Sequence, residues 1–87
     1  MSEWYVYILR CADDTLYTGV ATDLDARVST HNAGKGAKYT RGRRPVVLVY
    51  QEPAIDRAAA QRREAEIKRM GVESKRQLVK LQNATRE

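Results

Sequence analysis

The sequence contains one cysteine, Cys11, among 87 residues. That excludes an internal disulfide and any cysteine cluster for structural zinc, and it fits a reducing cytoplasmic setting. Long hydrophobic runs are also missing. The longest, Trp4 to Leu9, falls far short of the roughly 20 apolar residues a membrane span needs, and Glu3 stands where a signal peptide would carry basic residues. A soluble, unsecreted chain with no membrane association is expected. No repeat, linker or low-complexity tract divides it. A single domain over residues 1–87 is therefore expected, burying about 60 to 65% of the surface its unfolded chain exposes.

The absence with the most functional content is that of acid. From Arg27 to Gln51 there is no Asp or Glu, while the same window holds Lys35, Lys38, Arg41, Arg43 and Arg44 with Tyr39 among them. The net charge is +5 and the isoelectric point about 9.7. A solvated basic loop would look similar, but the clustering favours a polyanionic partner, with cations on phosphates and Tyr39 as a stacking surface for a base.

Trp4-Tyr5-Val6-Tyr7-Ile8-Leu9 is apolar on both alternating faces, the pattern of an interior strand. Turn chemistry at Ala12-Asp13-Asp14-Thr15 separates it from an extended stretch at Leu16 to Ala21, so the two are expected to form a hairpin that brings Tyr7 near Tyr17. Thr22 and Asp25 resemble a capping box that opens a helix to about Asn32, with Asn32-Ala33-Gly34 as its stop. A basic loop over Gly34 to Arg44 follows. Pro45 then opens a third strand at Val46 to Tyr50, which Pro53 is expected to end. Asp56 is a good N-cap for a helix reaching Met70, with Gly71 as its stop, and Ser74 with Gln77 suggests a capping box for a short last helix carrying Leu78, Val79 and Leu81.

Two residues disturb these patterns. At 100° per residue, Leu24, Arg27, Val28 and His31 share one stripe of the first helix, so a guanidinium and an imidazole lie on a face marked as inward. A buried guanidinium needs an anion, whereas a snorkelling one only covers the helix edge. His31, beside apolar residues, reads as a hydrogen-bonded core residue or as a group that titrates near neutrality. In the later helix, Glu64 projects between Ala60 and Ile67 on the stripe that ends at Met70. A carboxylate there needs a cation, either a metal or an arginine such as Arg27.

Tyr5-Val6-Tyr7 and Tyr17-Thr18-Gly19 resemble the two short motifs of the GIY-YIG nuclease superfamily, and Arg27 and Glu64 fall at the positions of its helical arginine and metal-binding glutamate. Gly34 to Thr40, Arg41 to Pro45, and Arg62-Arg63-Glu64 with Ile67-Lys68 are similar to the short stand-alone bacterial YhbQ-like branch. The resemblance covers nearly the whole chain. It implies a small α/β (α+β) fold with a three-stranded antiparallel sheet flanked by helices, in the order β-β-α-β-α-α. The implied activity is metal-dependent endonucleolytic hydrolysis of nucleic acid, DNA before RNA, in DNA repair or processing.

In that frame Glu64 holds one weakly bound Mg²⁺ or Mn²⁺, Arg27 neutralises charge on the phosphate, Tyr17 contacts the phosphate, and Tyr7 is the base or water-positioner with His31 as its rival. Tyrosine serves as a base near neutral pH only if cations lower its pKa or the proton is relayed. Two departures from the family pattern matter. Tyr5 replaces the first glycine, and Val20 follows Gly19 where larger relatives have a lysine. Asn83 is too near the terminus to stand for the extra asparagine of some relatives. Two other readings fit the residues: a binding module that works through its basic loop, and an adaptor domain whose Arg27 and Glu64 form a buried pair. Specificity is expected from nucleic-acid shape or from a protein partner.

Overall fold

The elements form where apolar periodicity and local caps agree. A computed structural model describes residues 3–84 and gives β1 (Trp4–Arg10), β2 (Leu16–Ala21), α1 (Leu24–Asn32), α2 (Lys38–Arg41), β3 (Val47–Ala54), α3 (Arg57–Arg69) and α4 (Val72–Ala84). The expected order holds with one addition: α2 is a single turn inside the basic loop. The sheet is antiparallel with strand order β2-β1-β3. β1 is thus the central strand, which is why both its faces are apolar.

Those two faces belong to different layers. Val6 and Ile8 pack with Tyr50, Ala60 and Ile67, and the half-buried Met70, Leu78 and Val79 of the α3 and α4 side close over them. Ala60 and Ile67 are fully buried, and burial of a side chain the size of Ile67 contributes about 1.5–3 kcal/mol. On the opposite face Tyr7 and Leu9 pack with Cys11, Ala21 and Val46, flanked by Leu24 and Val28 of α1. The register pairs Tyr7 with Gly19 and Leu9 with Tyr17, so the two motif tyrosines are diagonal neighbours on the α1 face.

Caps define the helices more sharply than the sequence pattern does. The α1 N-cap is Asp23, whose side chain accepts from Ala26 N at 3.1 Å. It is not Thr22, because the aspartate carboxylate lies three residues before a free amide. Asp56 caps α3 as expected, accepting from Ala59 N at 2.8 Å. Gly34 takes φ +80° after α1, the left-handed stop that glycine tolerates. α4 begins at Val72, two residues before Ser74, since Lys75 N already bonds Gly71 O at 3.2 Å. It spans 13 residues and is not short.

Pro53 does not end β3, which continues to Ala54. β3 is an edge strand, and proline is tolerated where no ladder donor is required. The exposed edge of β3 is capped from α4. Gln82 Nε2 donates to Gln51 O at 2.6 Å and Gln82 Oε1 accepts from Gln51 N at 3.0 Å, so the side-chain amide stands in for a fourth strand. Among the described residues no helix is long and apolar enough to cross a membrane. Gln82→Ala is expected to lower stability by about 1 kcal/mol, because solvent partly replaces the two lost bonds. Urea unfolding should show a lower midpoint at unchanged slope.

Candidate active site

The sheet and α1 together bury a polar cluster. Tyr7 is 2% exposed, and its ring lies against Gly19 of the paired strand. A Cβ at Gly19 would stand 2.5 Å from Tyr7 Oη, so the motif glycine is dictated by the tyrosine that covers it. Tyr7 Oη is 3.1 Å from Nε2 of His31 on the last turn of α1. Nδ1 of the same ring is 2.9 Å from Thr40 Oγ1 on α2. Gly36 backs the imidazole so closely that a Cβ there would overlap Nδ1. His31 is therefore held at both nitrogens and from behind.

Tyr17 closes the cluster on the outer side. Its ring centroid is 5.3 Å from His31 and 6.5 Å from Tyr7, both in tilted or edge contact. The cluster thus joins β1, β2, α1 and α2. Burial pushes the Tyr7 phenol well above its ordinary value, with Tyr17 and Glu64 adding to the rise and Arg27 opposing it. Of the two conditions the sequence set for a tyrosine base, depression by cations is not met, because loss of water outweighs the guanidinium. Burial first, and Arg27 second, lower His31 below its ordinary 6.5. The imidazole is consequently neutral at pH 7.

Arg27 is exposed, which selects the snorkelling reading over a buried guanidinium beside an anion. Leu24 and Val28 are only half-buried and His31 alone of the stripe is buried, so the flexible guanidinium stem leaves the helix margin for solvent. It remains near enough to act on both Tyr7 and His31. Glu64 is half-buried and pairs with Lys68 at 3.2 Å, not with an arginine. The buried Arg27–Glu64 pair that an adaptor domain would need does not form. Lys68 follows Glu64 by one helical turn, and its Nζ also lies 5.9 Å from the Tyr17 ring centroid.

Glu64 suits a hard divalent cation by its chemistry, being a half-buried carboxylate that offers oxygen donors. No group of three or more His, Cys, Asp or Glu gathers as a metal site among the described residues. One protein oxygen donor set, completed by water and phosphate oxygens, fits a weakly held ion.

The basic loop divides into cations that hold the fold and cations that do not. Arg43 pairs with Asp13 at 2.9 Å, donates to Tyr39 O at 2.8 Å and lies 4.1 Å from the Tyr39 ring centroid. Arg44 donates to Arg41 O and Asn32 O, at 2.9 and 3.3 Å. Tyr39 stacks on Tyr17 with centroids 5.9 Å apart, so this ring already has two planar partners. Lys35, Lys38 and Arg41 are exposed, and no ion pair engages them among the described residues. Arg41 and Arg44 line an open concavity of about 590 Å³ with Asn32, Gly42 and Pro45.

Sequence reasoning left Thr40, Gly36 and Lys68 without roles. Lys68 was accessible through its i,i+4 spacing from Glu64. Thr40 and Gly36 carry no local signal, because their importance depends on the fold of the loop against α1.

Residues 3–76 match the profile of the GIY-YIG catalytic domain. A UPF0213 protein of Staphylococcus haemolyticus is 54% identical over 79 residues, which cover 91% of this chain and 96% of the relative. A UPF0213 protein of Natronomonas pharaonis is 53% identical over 78 residues, covering 90% and 92%. The solution structure of a UPF0213 protein from Bacillus halodurans superposes with a TM-score of 0.59 at 48% identity, covering 91% of this chain and 84% of the other. A solution structure of an E. faecalis protein gives a TM-score of 0.64 at 34% identity, covering 97% and 90%. The chain belongs to the GIY-YIG family, in its UPF0213 branch.

Proposed function

We propose that this protein is a metal-dependent endonuclease that hydrolyses phosphodiesters in nucleic acid. The observation that carries this reading is the convergence of Tyr7, Tyr17 and His31 from three elements, with Arg27 and Glu64 both acting electrostatically on Tyr7. In a packing core such a set would be replaced by apolar side chains at no loss of stability.

The phosphate enters at the outer side of Tyr17, where Arg27 and Lys68 supply positive charge. A water oxygen attacks phosphorus as the bond to the sugar oxygen breaks, and the water's proton passes to the Tyr7–His31 pair. The leaving oxygen takes its proton from solvent. Arg27 donates to the nonbridging oxygens as charge accumulates on them, which favours the transition state over the bound substrate. A Mg²⁺ or Mn²⁺ ion held by Glu64 would supply Lewis-acid polarisation of the phosphate there. Lys68, paired with Glu64 at 3.2 Å, would compete with a cation for that carboxylate. Lys35, Lys38 and Arg41, free of ion pairs, hold the flanking phosphates and give binding its salt dependence.

The deciding experiment is cleavage of single-stranded, duplex, nicked and branched DNA and RNA with Mg²⁺ or Mn²⁺ against EDTA. Arg27→Ala and Glu64→Ala should each lower kcat by about 100-fold or more, with little change in affinity measured by fluorescence anisotropy. Salt-sensitive binding without cleavage, unaffected by Glu64→Ala, would instead identify a binding module. Lys68→Ala should lower the Mg²⁺ concentration at half-maximal rate several-fold, by about the weight of one ion pair at a half-exposed site.

The pH dependence follows from the two buried groups. His31 accepts a proton only when neutral, and its folded value lies below 6.5. Activity should therefore be flat through neutrality and fall with acid only below the ordinary imidazole range. The Tyr7 phenol, raised above 10, should place no alkaline limb below pH 10. A stopped-time pH profile of kcat/KM checks both.

A further inference from the structure

We propose that Thr40 is a positioning residue that fixes the tautomer of His31 and thereby the direction of proton flow from the attacking water. The inference rests on the nuclease reading above for its catalytic consequence, but its structural half stands on hydrogen-bond accounting alone.

Thr40 is fully buried, and its hydroxyl has one hydrogen and two polar neighbours. Oγ1 lies 2.9 Å from Ala37 O and 2.9 Å from His31 Nδ1. A carbonyl oxygen has no hydrogen to give, so the Ala37 contact consumes the hydroxyl hydrogen. The contact to Nδ1 then holds a hydrogen only if Nδ1 bears it. His31 is in consequence the Nδ1–H tautomer, donating to Thr40, and Nε2 is left as a bare acceptor. Among the described residues the hydrogen-bond partner of Nε2 is Tyr7 Oη, at 3.1 Å, and with Nδ1 protonated it is the donor. The chain of donation runs from Tyr7 to His31 to Thr40 to Ala37 O. The opposite tautomer would turn the Thr40 hydroxyl hydrogen toward Nδ1 and forfeit its bond to Ala37 O, which would keep only the Thr40 amide at 3.1 Å.

This direction solves a problem set by the raised Tyr7 phenol, which cannot act as a free tyrosinate near neutral pH. With its hydrogen committed to Nε2, Tyr7 Oη presents lone pairs to the attacking water. As the water oxygen bonds to phosphorus, its proton goes to Tyr7 Oη and the Tyr7 proton goes to His31 Nε2. The imidazolium so formed keeps Nδ1–H on Thr40, and later returns its Nε2 proton to Tyr7 and thence to solvent. No residue is left with a net change after turnover. The groups facing His31 are Tyr7 of β1, Tyr17 of β2, Arg27 of α1 and Thr40 of α2. None of these is an anion, so among the described residues none facing the ring stores the proton once the reaction is over.

The test uses the full chain, with imidazole ¹⁵N shifts from long-range NMR correlations and cleavage rates measured side by side. Wild type should show a protonated Nδ1 and a bare Nε2. Thr40→Val keeps the shape and removes the acceptor, and should shift the tautomer toward Nε2–H while lowering kcat about 100-fold, within the range of general acid–base contributions. KM should stay near its wild-type value. Thr40→Ser should restore both tautomer and rate, which a merely structural defect in packing would not produce. An amide correlation spectrum establishes that each variant is folded, and the wild-type tautomer needs no variant at all. An Nε2–H tautomer in wild type, or a Thr40→Val protein with unchanged tautomer and rate, would overturn the proposal. A wild type with the stated tautomer that cleaves none of the nucleic acids would uphold the hydrogen-bond chain and reject the nuclease reading.

Discussion

The imidazole of His31 is the point on which this structure turns. It is a polar ring with 2% of its surface exposed, and it is tolerated there because both nitrogens have partners, one from the central strand and one from the basic loop. A buried polar group left unpaired costs about 1–3 kcal/mol, so each partner is required by the others. The same ring joins β1, α1 and α2, and Gly19 and Gly36 exist to let its neighbourhood close. Loop conformation and site chemistry are in this way a single constraint.

The two faces of the sheet divide the work. The face under α3 and α4 is conventional, with Val6, Ile8, Ala60 and Ile67 excluded from water. The face under α1 carries the titratable cluster and is closed by half-buried groups. A sequence of 87 residues has little apolar surface to spare, so polar burial on one side is offset by the apolar packing on the other. Glu64 links the two. It lies on α3 between the buried Ala60 and Ile67, and its charge still acts on Tyr7.

Charge is apportioned in a similar way. Arg43 and Arg44 are spent on the loop's own carbonyls and on Asp13, which holds α2 and so Thr40 in place. Lys35, Lys38, Arg41 and Arg27 are left toward solvent. A basic stretch that looks uniform in sequence is therefore part scaffold and part surface. The scaffold part acts on the tyrosine–histidine cluster through geometry, and the surface part sets the field the protein presents to solvent.

The sequence by itself determined the strands, the hairpin, the helix caps at Asp56 and Gly34, and the acid-free window, because each depends on neighbours within a few residues. It also placed Tyr7, Tyr17, Arg27, His31 and Glu64 on elements whose order the fold preserves. Local pattern was insufficient where distant partners compete. Pro53 remained in a strand because β3 is an edge, and Arg27 turned outward because a flexible stem at a helix margin follows solvent. Glu64 chose Lys68 over an arginine, and burial raised Tyr7 where nearby cations alone would have lowered it. Only the tertiary structure decided that Thr40, nine residues after His31, would hold its ring, since hydrogen-bond direction is set by the whole inventory of donors and acceptors brought into one dry space.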